Sequence, residues 1–164
     1  KHTDRKCAGT ASGVKGCNGV KCIYQFFLLG FIEHGKVIVF CPSQKKLNEF
    51  MLLRREWFSG VNENIHAYKT TSADPYGSRN FRAFKNDDSD ALKVLYCINQ
   101  LNEAVHVRSI DAIVMVRPTK SPIIFHQQLG RVLSSGGGST PLVFDLCNNF
   151  GSLGGITGMQ ERME

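Results

Sequence analysis

The chain has 164 residues, so one domain is the natural expectation, and its 42% hydrophobic content suffices for a core and excludes a disordered chain. A net charge of +6 suits a polyanionic partner such as nucleic acid, but the basic residues are spread out and charge alone identifies nothing. No apolar run reaches the roughly 18 residues of a membrane span, and the basic start "KHTDRKCAG" has no apolar signal core behind it, so a cytoplasmic protein is expected.

Residues 1–20 are glycine-rich, lack an apolar period and read as a flexible N-terminal segment. From Lys21 to His34 apolar residues recur at helical spacing, with Gly35 as the stop. "KVIVFCP" is a β-branched run bounded by Gly and Pro, which reads as a buried strand. Ser43 then caps a helix to about Phe58, in which Leu47, Phe50 and Met51 keep a 3.6 period. "NIHAYKT" is a second strand. "DPYGSRNFRAFKND" reads as a turn and a short helix carrying Phe81 and Phe84 inward. "ALKVLYCI", "DAIVMVRP" and "TPLVFDLC" are three further strands, the last two separated by a helix from about Ser121 to Leu133. "SSGGGS" is a flexible loop, not a phosphate cradle, because no helix opens directly after it. A glycine-rich tail occupies residues 151–164.

Strands alternating with helices of this length predict an α/β fold, a three-layer parallel sheet of about five or six strands with helices on both faces. In such a sheet ligands bind at the carboxyl ends of the strands. The stretch from Leu92 to Leu146 suits that geometry, since polar and charged residues follow its apolar strands directly. Gln127 and Arg131, four residues apart, share one helix face, and a forked guanidinium there suits a developing phosphate charge.

Other candidates are weaker. Cys41, Cys97 and Cys147 lie in or beside apolar runs, where a thiol is a small hydrophobe. Cys7, Cys17 and Cys22 match no strong zinc spacing even with His34 added, and no metal site is expected. Trp57, Phe58 and Tyr68 could stack on bases, but Trp57 and Phe58 end a helix and are expected in the core. Ser72, Arg79 and Lys85 are candidate phosphate contacts, and Asp87, Asp88 and Asp90 form an acidic turn without metal. There is no nucleophile elbow and no dinucleotide fingerprint.

Four segments together resemble the second RecA-like domain of superfamily 2 helicases, the DEAD/DEAH and type III restriction branch. "KVIVFCPSQKKL" looks like motif IV, "VLYCINQLNEAVHV" like motif V, "SPIIFHQQLGRVLS" like motif VI, and "VFDLCNNF" like the closing strand. The match spans about residues 36 to 150, within a domain placed at 21–150.

The resemblance implies a domain that shares an ATP–Mg2+ cleft with a first helicase domain and lies along nucleic acid, with DNA favoured over RNA and no membrane partner. A place in a restriction or defence enzyme follows from the same branch. The P-loop and the DEAD or DEAH box belong to the first domain, and this chain has neither. Alone it is expected not to hydrolyse ATP.

Carried over by residue, Arg131 is implied in γ-phosphate contact and Gln127 in coupling beside it. Gly130 is implied to let the helix approach closely, and Glu103, Ala104 and His106 to lie against the nucleotide. Ser43, Ser72, Cys97 and Asn102 are implied along the nucleic-acid track. The chain departs from the pattern at Ser134, where a second Arg is usual, and at Ala104, where Gly is usual. Cys97, Asn99 and His106 replace Thr, Asp and Asp. A hydroxyl cannot replace a guanidinium as a cation. The alternative reading is therefore a non-catalytic nucleic-acid or protein-binding module derived from such a domain.

Overall fold

A computed structural model describes residues 35–58, 62–98, 107, 110–118, 130 and 142–149. Their elements run β1 (Gly35–Phe40), α1 (Gln44–Phe58), β2 (Ile65–Thr70), α2 (Gly77–Lys85), β3 (Leu92–Cys97), β4 (Ala112–Met115) and β5 (Leu142–Asp145). The expected segments 1–20, 21–34 and 151–164, the bulk of the expected helix 121–133 and the loop "SSGGGS" lie outside the described residues.

All five strands are parallel, in the order β2-β3-β1-β4-β5. The register sets Val37 beside Val94 and Ala112, so the apolar runs of the three central strands coincide across the sheet. β3 and β4 are buried at every position because both faces are covered, which is why they read as continuous apolar runs rather than alternating ones. β5, at the edge, is partly exposed throughout.

α1 and α2 lie on opposite faces. Leu47, Phe50, Trp57 and Phe58 of α1 pack on Val37, Val39, Val94, Tyr96 and Val114. Phe84 of α2, with Phe81 and Tyr68 partly buried beside it, packs on Ile38, Phe40, Leu95, Ile113 and Met115. The chain crosses one way from β1 to β2 and back from β2 to β3, so opposite faces give both crossovers the same hand. Each fully buried aromatic contributes about 1.5–3 kcal/mol of transfer free energy.

Local sequence explains the ends. The Ser43 hydroxyl accepts the Lys46 amide at 3.3 Å and its carbonyl accepts the Leu47 amide at 2.9 Å, so Ser43 caps α1 as the sequence requires. Trp57 stacks at a tilt on Phe50, ring centroids 4.7 Å apart, so both expected core aromatics are core. Leu52 points away from this face and is 80% exposed. Gly35 is the first residue of β1, at φ 156°, a value that glycine adopts without strain. α2 starts close to the preceding turn: a Cβ on Gly77 would sit 3.1 Å from the Thr70 hydroxyl and 3.2 Å from the Thr71 carbonyl.

The amino end of the sheet, on the α2 face, carries a closed polar network. Asp87 Oδ2 accepts the Tyr68 hydroxyl at 2.6 Å and lies 2.7 Å from His66 Nδ1. Asp87 Oδ1 accepts the Ser89 hydroxyl at 2.6 Å and the Ser89 amide at 3.0 Å. Lys93 lies beside His66 in register and Lys36 beside Lys93. Both lysines are buried, at 6% and 7% exposure. Their ammoniums donate to the Ser89 and Lys85 carbonyls, the latter at 2.7 Å, and Lys36 also lies 3.7 Å from Asp88. The acidic turn is thus more than a solvated loop: Asp87 and Ser89 tie the exit of α2 to the sheet.

Candidate functional site at the carboxyl edge

β1, β3 and β4 are adjacent at the centre of the sheet. After β1 the chain turns towards β2, and β4 is followed in the sheet by β5 on the other side. The border between β1 and β4 is therefore a topological switch point, where open parallel sheets leave a crevice at their carboxyl ends. The ladder holds this edge beyond the strands: the Cys41 amide donates to the Cys97 carbonyl at 2.8 Å, and the Val116 amide to the Phe40 carbonyl at 3.1 Å.

Three kinds of residue meet there. Ser43 is exposed immediately after β1, its hydroxyl already engaged as the helix cap. Ser72 is exposed in the turn after β2, two residues from Thr70. Asp74 shapes that turn, its Oδ1 accepting the Tyr76 amide at 2.9 Å and its Oδ2 lying 3.7 Å from Lys69 Nζ. Cys97 ends β3 with its side chain fully buried, the thiol donating to the Val39 carbonyl at 3.6 Å. What Cys97 offers this edge is its backbone.

Thiol chemistry has no support among these residues. Burial pushes the Cys41 thiol up to about 12 against a small opposing hydrogen bond from the Cys97 backbone, and burial then Cys41 itself raise Cys97. Burial, then the Asp145 charge, raises Cys147 as well. Protonated thiols are poor nucleophiles and poor metal ligands. Among the described residues no group of three His, Cys, Asp or Glu is placed to hold a metal ion.

Arg117, two residues past β4, is the polar group that the motif reading missed. Its carbonyl accepts the Asn149 side-chain amide at 3.1 Å, and Asn149 also donates to Asp145 Oδ1 at 2.9 Å, so the backbone is pinned to the end of β5. Nη1 of its guanidinium is buried and has no hydrogen-bond partner among the described residues. The signal was available, since Arg117 breaks the run "IVMV" just before Pro118.

Gly130 is helical and exposed, and a Cβ there would meet nothing within 4 Å among the described residues, so no contact with them demands glycine. Gln127, Arg131, Glu103, Ala104, His106, Asn102 and Ser134 lie outside the described residues, as do Cys7, Cys17 and Cys22.

A five-stranded all-parallel sheet in this order, with helices on both faces, is the fold of the RecA-like C-terminal domain of helicases. Residues 20–136 match the model of the family "helicase conserved C-terminal domain", well over half of the chain, and the chain belongs to that family. Among solved structures, Mss116p DEAD-box helicase domain 2 bound to an RNA duplex matches with a TM-score of 0.56 and 15% identity over 71% of this chain and 43% of that one. The C-terminal part of the Fun30 ATPase domain matches with a TM-score of 0.58 and 9% identity, over 78% of this chain and 39% of that one. The type ISP restriction-modification enzyme LlaBIII bound to DNA matches with a TM-score of 0.56 and 15% identity, over 76% of this chain and 9% of that one. The chain thus spans less than half the length of each of these three. No curated protein matches it in sequence.

Proposed function

We propose that this chain is the second RecA-like domain of an ATP-dependent nucleic-acid helicase or translocase, in the branch of superfamily 2 that includes type III restriction subunits. The supporting observation is the adjacency of β1, β3 and β4 at the centre of the sheet. The motif IV segment begins in β1, the motif V segment in β3, and the motif VI segment follows β4. The first two segments therefore leave the sheet at its carboxyl edge, and the third follows β4 in the sequence. In this reading Arg131 meets the γ-phosphate, Gln127 couples beside it, and Gly130, Glu103, Ala104 and His106 line the nucleotide side. Ser43, Ser72, Asn102 and the Cys97 backbone lie along the strand. A guanidinium fork fits a transferring phosphoryl group because it stabilises charge that grows in the transition state. ATP and Mg2+ are held mainly by a first domain bearing the P-loop.

Nucleic acid as the partner is supported by the relatives solved on RNA and on DNA, and DNA is favoured by the restriction-type branch. No described helix is long and apolar enough to cross a membrane, and the cytoplasm is the proposed location. The test is fluorescence anisotropy of the purified chain with single-stranded DNA and RNA of one sequence, together with ATP turnover. Salt-dependent binding, DNA favoured, with turnover at background supports the reading. Steady turnover by the chain alone, or no binding to either strand, refutes it. Ala104 and Ser134 favour the second reading, a non-catalytic binding module. Binding without hydrolysis, even when the chain is joined to a P-loop domain, would select it.

A further inference from the structure

A guanidinium that is partly out of water and unpaired is expensive. Removing a cation from water costs several kcal/mol unless an anion and hydrogen bonds compensate. The other buried cations of this chain obey that rule: Lys36 and Lys93 both end on carbonyls. Arg117 does not, although its Nη1 is buried. Nor is its position loose, because Asn149, itself 1% exposed, holds its carbonyl. The fold thus fixes the backbone of Arg117 and, among the described residues, leaves its buried Nη1 without a partner, at the end of β4, beside the β1–β4 switch point.

We propose that Arg117 is a phosphate-binding residue whose partner arrives with the ligand. This deepens the helicase-domain reading and rests on it. Partial burial strips hydration from the guanidinium before the anion binds, so the ion pair forms with less water to displace. The planar fork offers two parallel donors to two phosphate oxygens. Two sources supply that chemistry, the backbone of a bound strand and the polyphosphate of a bound nucleotide, and the experiment separates them.

The purified chain is compared with Arg117→Met and Arg117→Lys. One arm measures affinity for a labelled single-stranded oligonucleotide from low to about 0.2 M salt; the other measures a fluorescent ATP analogue with Mg2+. Arg117→Met should lose about tenfold in one arm. If the strand is the source, the slope of log affinity against log salt should also fall by about one. Arg117→Lys should recover part of the loss. The thermal midpoint of Arg117→Met should equal or exceed that of the wild type, because the buried Nη1 has no hydrogen bond to a described residue to lose. Loss in the strand arm assigns the phosphate to nucleic acid, and loss in the nucleotide arm assigns it to ATP. Unchanged affinity in both arms overturns the proposal while leaving the helicase reading intact. A variant that fails to fold overturns it too, since that would make Arg117 structural. Wild-type chain that binds neither ligand overturns both.

Discussion

At the amino end of the sheet Asp87 collects Tyr68, His66 and Ser89, and two lysine ammoniums end on carbonyls of the α2 exit. At the carboxyl end the buried Nη1 of Arg117 has no partner among the described residues, and Ser43 and Ser72 are exposed. Both ends hold polar groups against the same apolar core, yet among the described residues only one closes its hydrogen bonds. A fold selected for stability alone would close both, because a buried polar group without a partner costs about 1–3 kcal/mol. The contrast separates what holds the domain together from what it offers to a ligand. Substitutions at the amino end should therefore change stability and spare binding, and those at the carboxyl end should change binding, with a cost in stability only where the residue also caps a helix, as Ser43 does.

The largest effect is expected at Arg131. In a polypeptide joining this chain to a P-loop domain, Arg131→Ala should lower ATP turnover at saturating ATP by on the order of 10³-fold, with a much smaller change in nucleotide affinity. Arg131→Lys should fail as well, since a point charge does not reproduce the fork. Three residues on, Ser134 supplies a hydroxyl rather than a second guanidinium. Near-normal turnover in both variants would remove Arg131 from the phosphoryl site and put the binding-module reading ahead.

Asp87→Ala comes next and belongs to the other end. It strands the Tyr68 hydroxyl, His66 and Ser89 together, and a cost of about 2–3 kcal/mol in urea unfolding is expected. Oligonucleotide affinity of the folded fraction should not move. The same group sets an acid limit. Burial pushes the Asp87 carboxyl up, but hydrogen bonds from Ser89, Tyr68 and His66 outweigh it and hold the group well below the ordinary carboxylate range. A depressed folded pKa contributes stability above the unfolded value of about 3.9 and loses it as pH falls further. The acid arm of the wild-type stability curve should therefore flatten in Asp87→Ala.

How much of this could be read from the sequence depends on the range of the interactions. β3 and α1 were legible because their signals are local: "LKVLYC" is a strand buried on both faces, and Ser43 sits one residue before a helix whose apolar residues keep a 3.6 period. The parallel sheet followed from the alternation of such elements. The Asp87 network was not legible, since Asp87 and His66 are 21 residues apart and meet only once β2 and the α2 exit are packed together. As a string, "NDDSD" looks like a solvated acidic turn. Gly35 carries two local signals, a helix stop and a positive φ: it opens β1, and the helix expected before it lies outside the described residues. At the candidate site, residue types were legible and their states were not. Cys97 fills a motif position yet turns its thiol into the core. Arg117 stands out only when its lack of a partner is known.

Ser43→Ala tests the carboxyl end with a smaller change. Loss of the cap on the Lys46 amide should cost about 1 kcal/mol of stability. Because the proposed strand track includes Ser43, oligonucleotide affinity should fall beyond what the unfolded fraction explains. Ser43→Asp separates the two roles: it restores the cap while setting a negative charge beside the strand. A midpoint near wild type with weakened binding is expected, and undiminished binding in both variants would remove Ser43 from the track.

The smallest effect is Tyr68→Phe, which removes one donor from Asp87 and leaves Ser89 and His66 in place. The expected cost at neutral pH is about 0.5–1.5 kcal/mol. Its pH dependence carries more information. Burial, then the hydrogen bond to Asp87 and its charge, push the Tyr68 phenol up to about 12. A folded pKa above the unfolded value near 10 gives stability that is complete below pH 10 and fades as pH climbs towards 12. Burial also raises Tyr96, Cys41 and Cys97, so wild-type protein loses stability in alkali for several reasons at once. The difference between wild type and Tyr68→Phe cancels the shared groups and leaves the Tyr68 share. That difference should be steady from neutral pH to about 9 and shrink between about 10 and 12. A difference independent of pH across that range would mean that the Tyr68 hydroxyl does not meet the Asp87 carboxylate, and the amino end would lose its central contact.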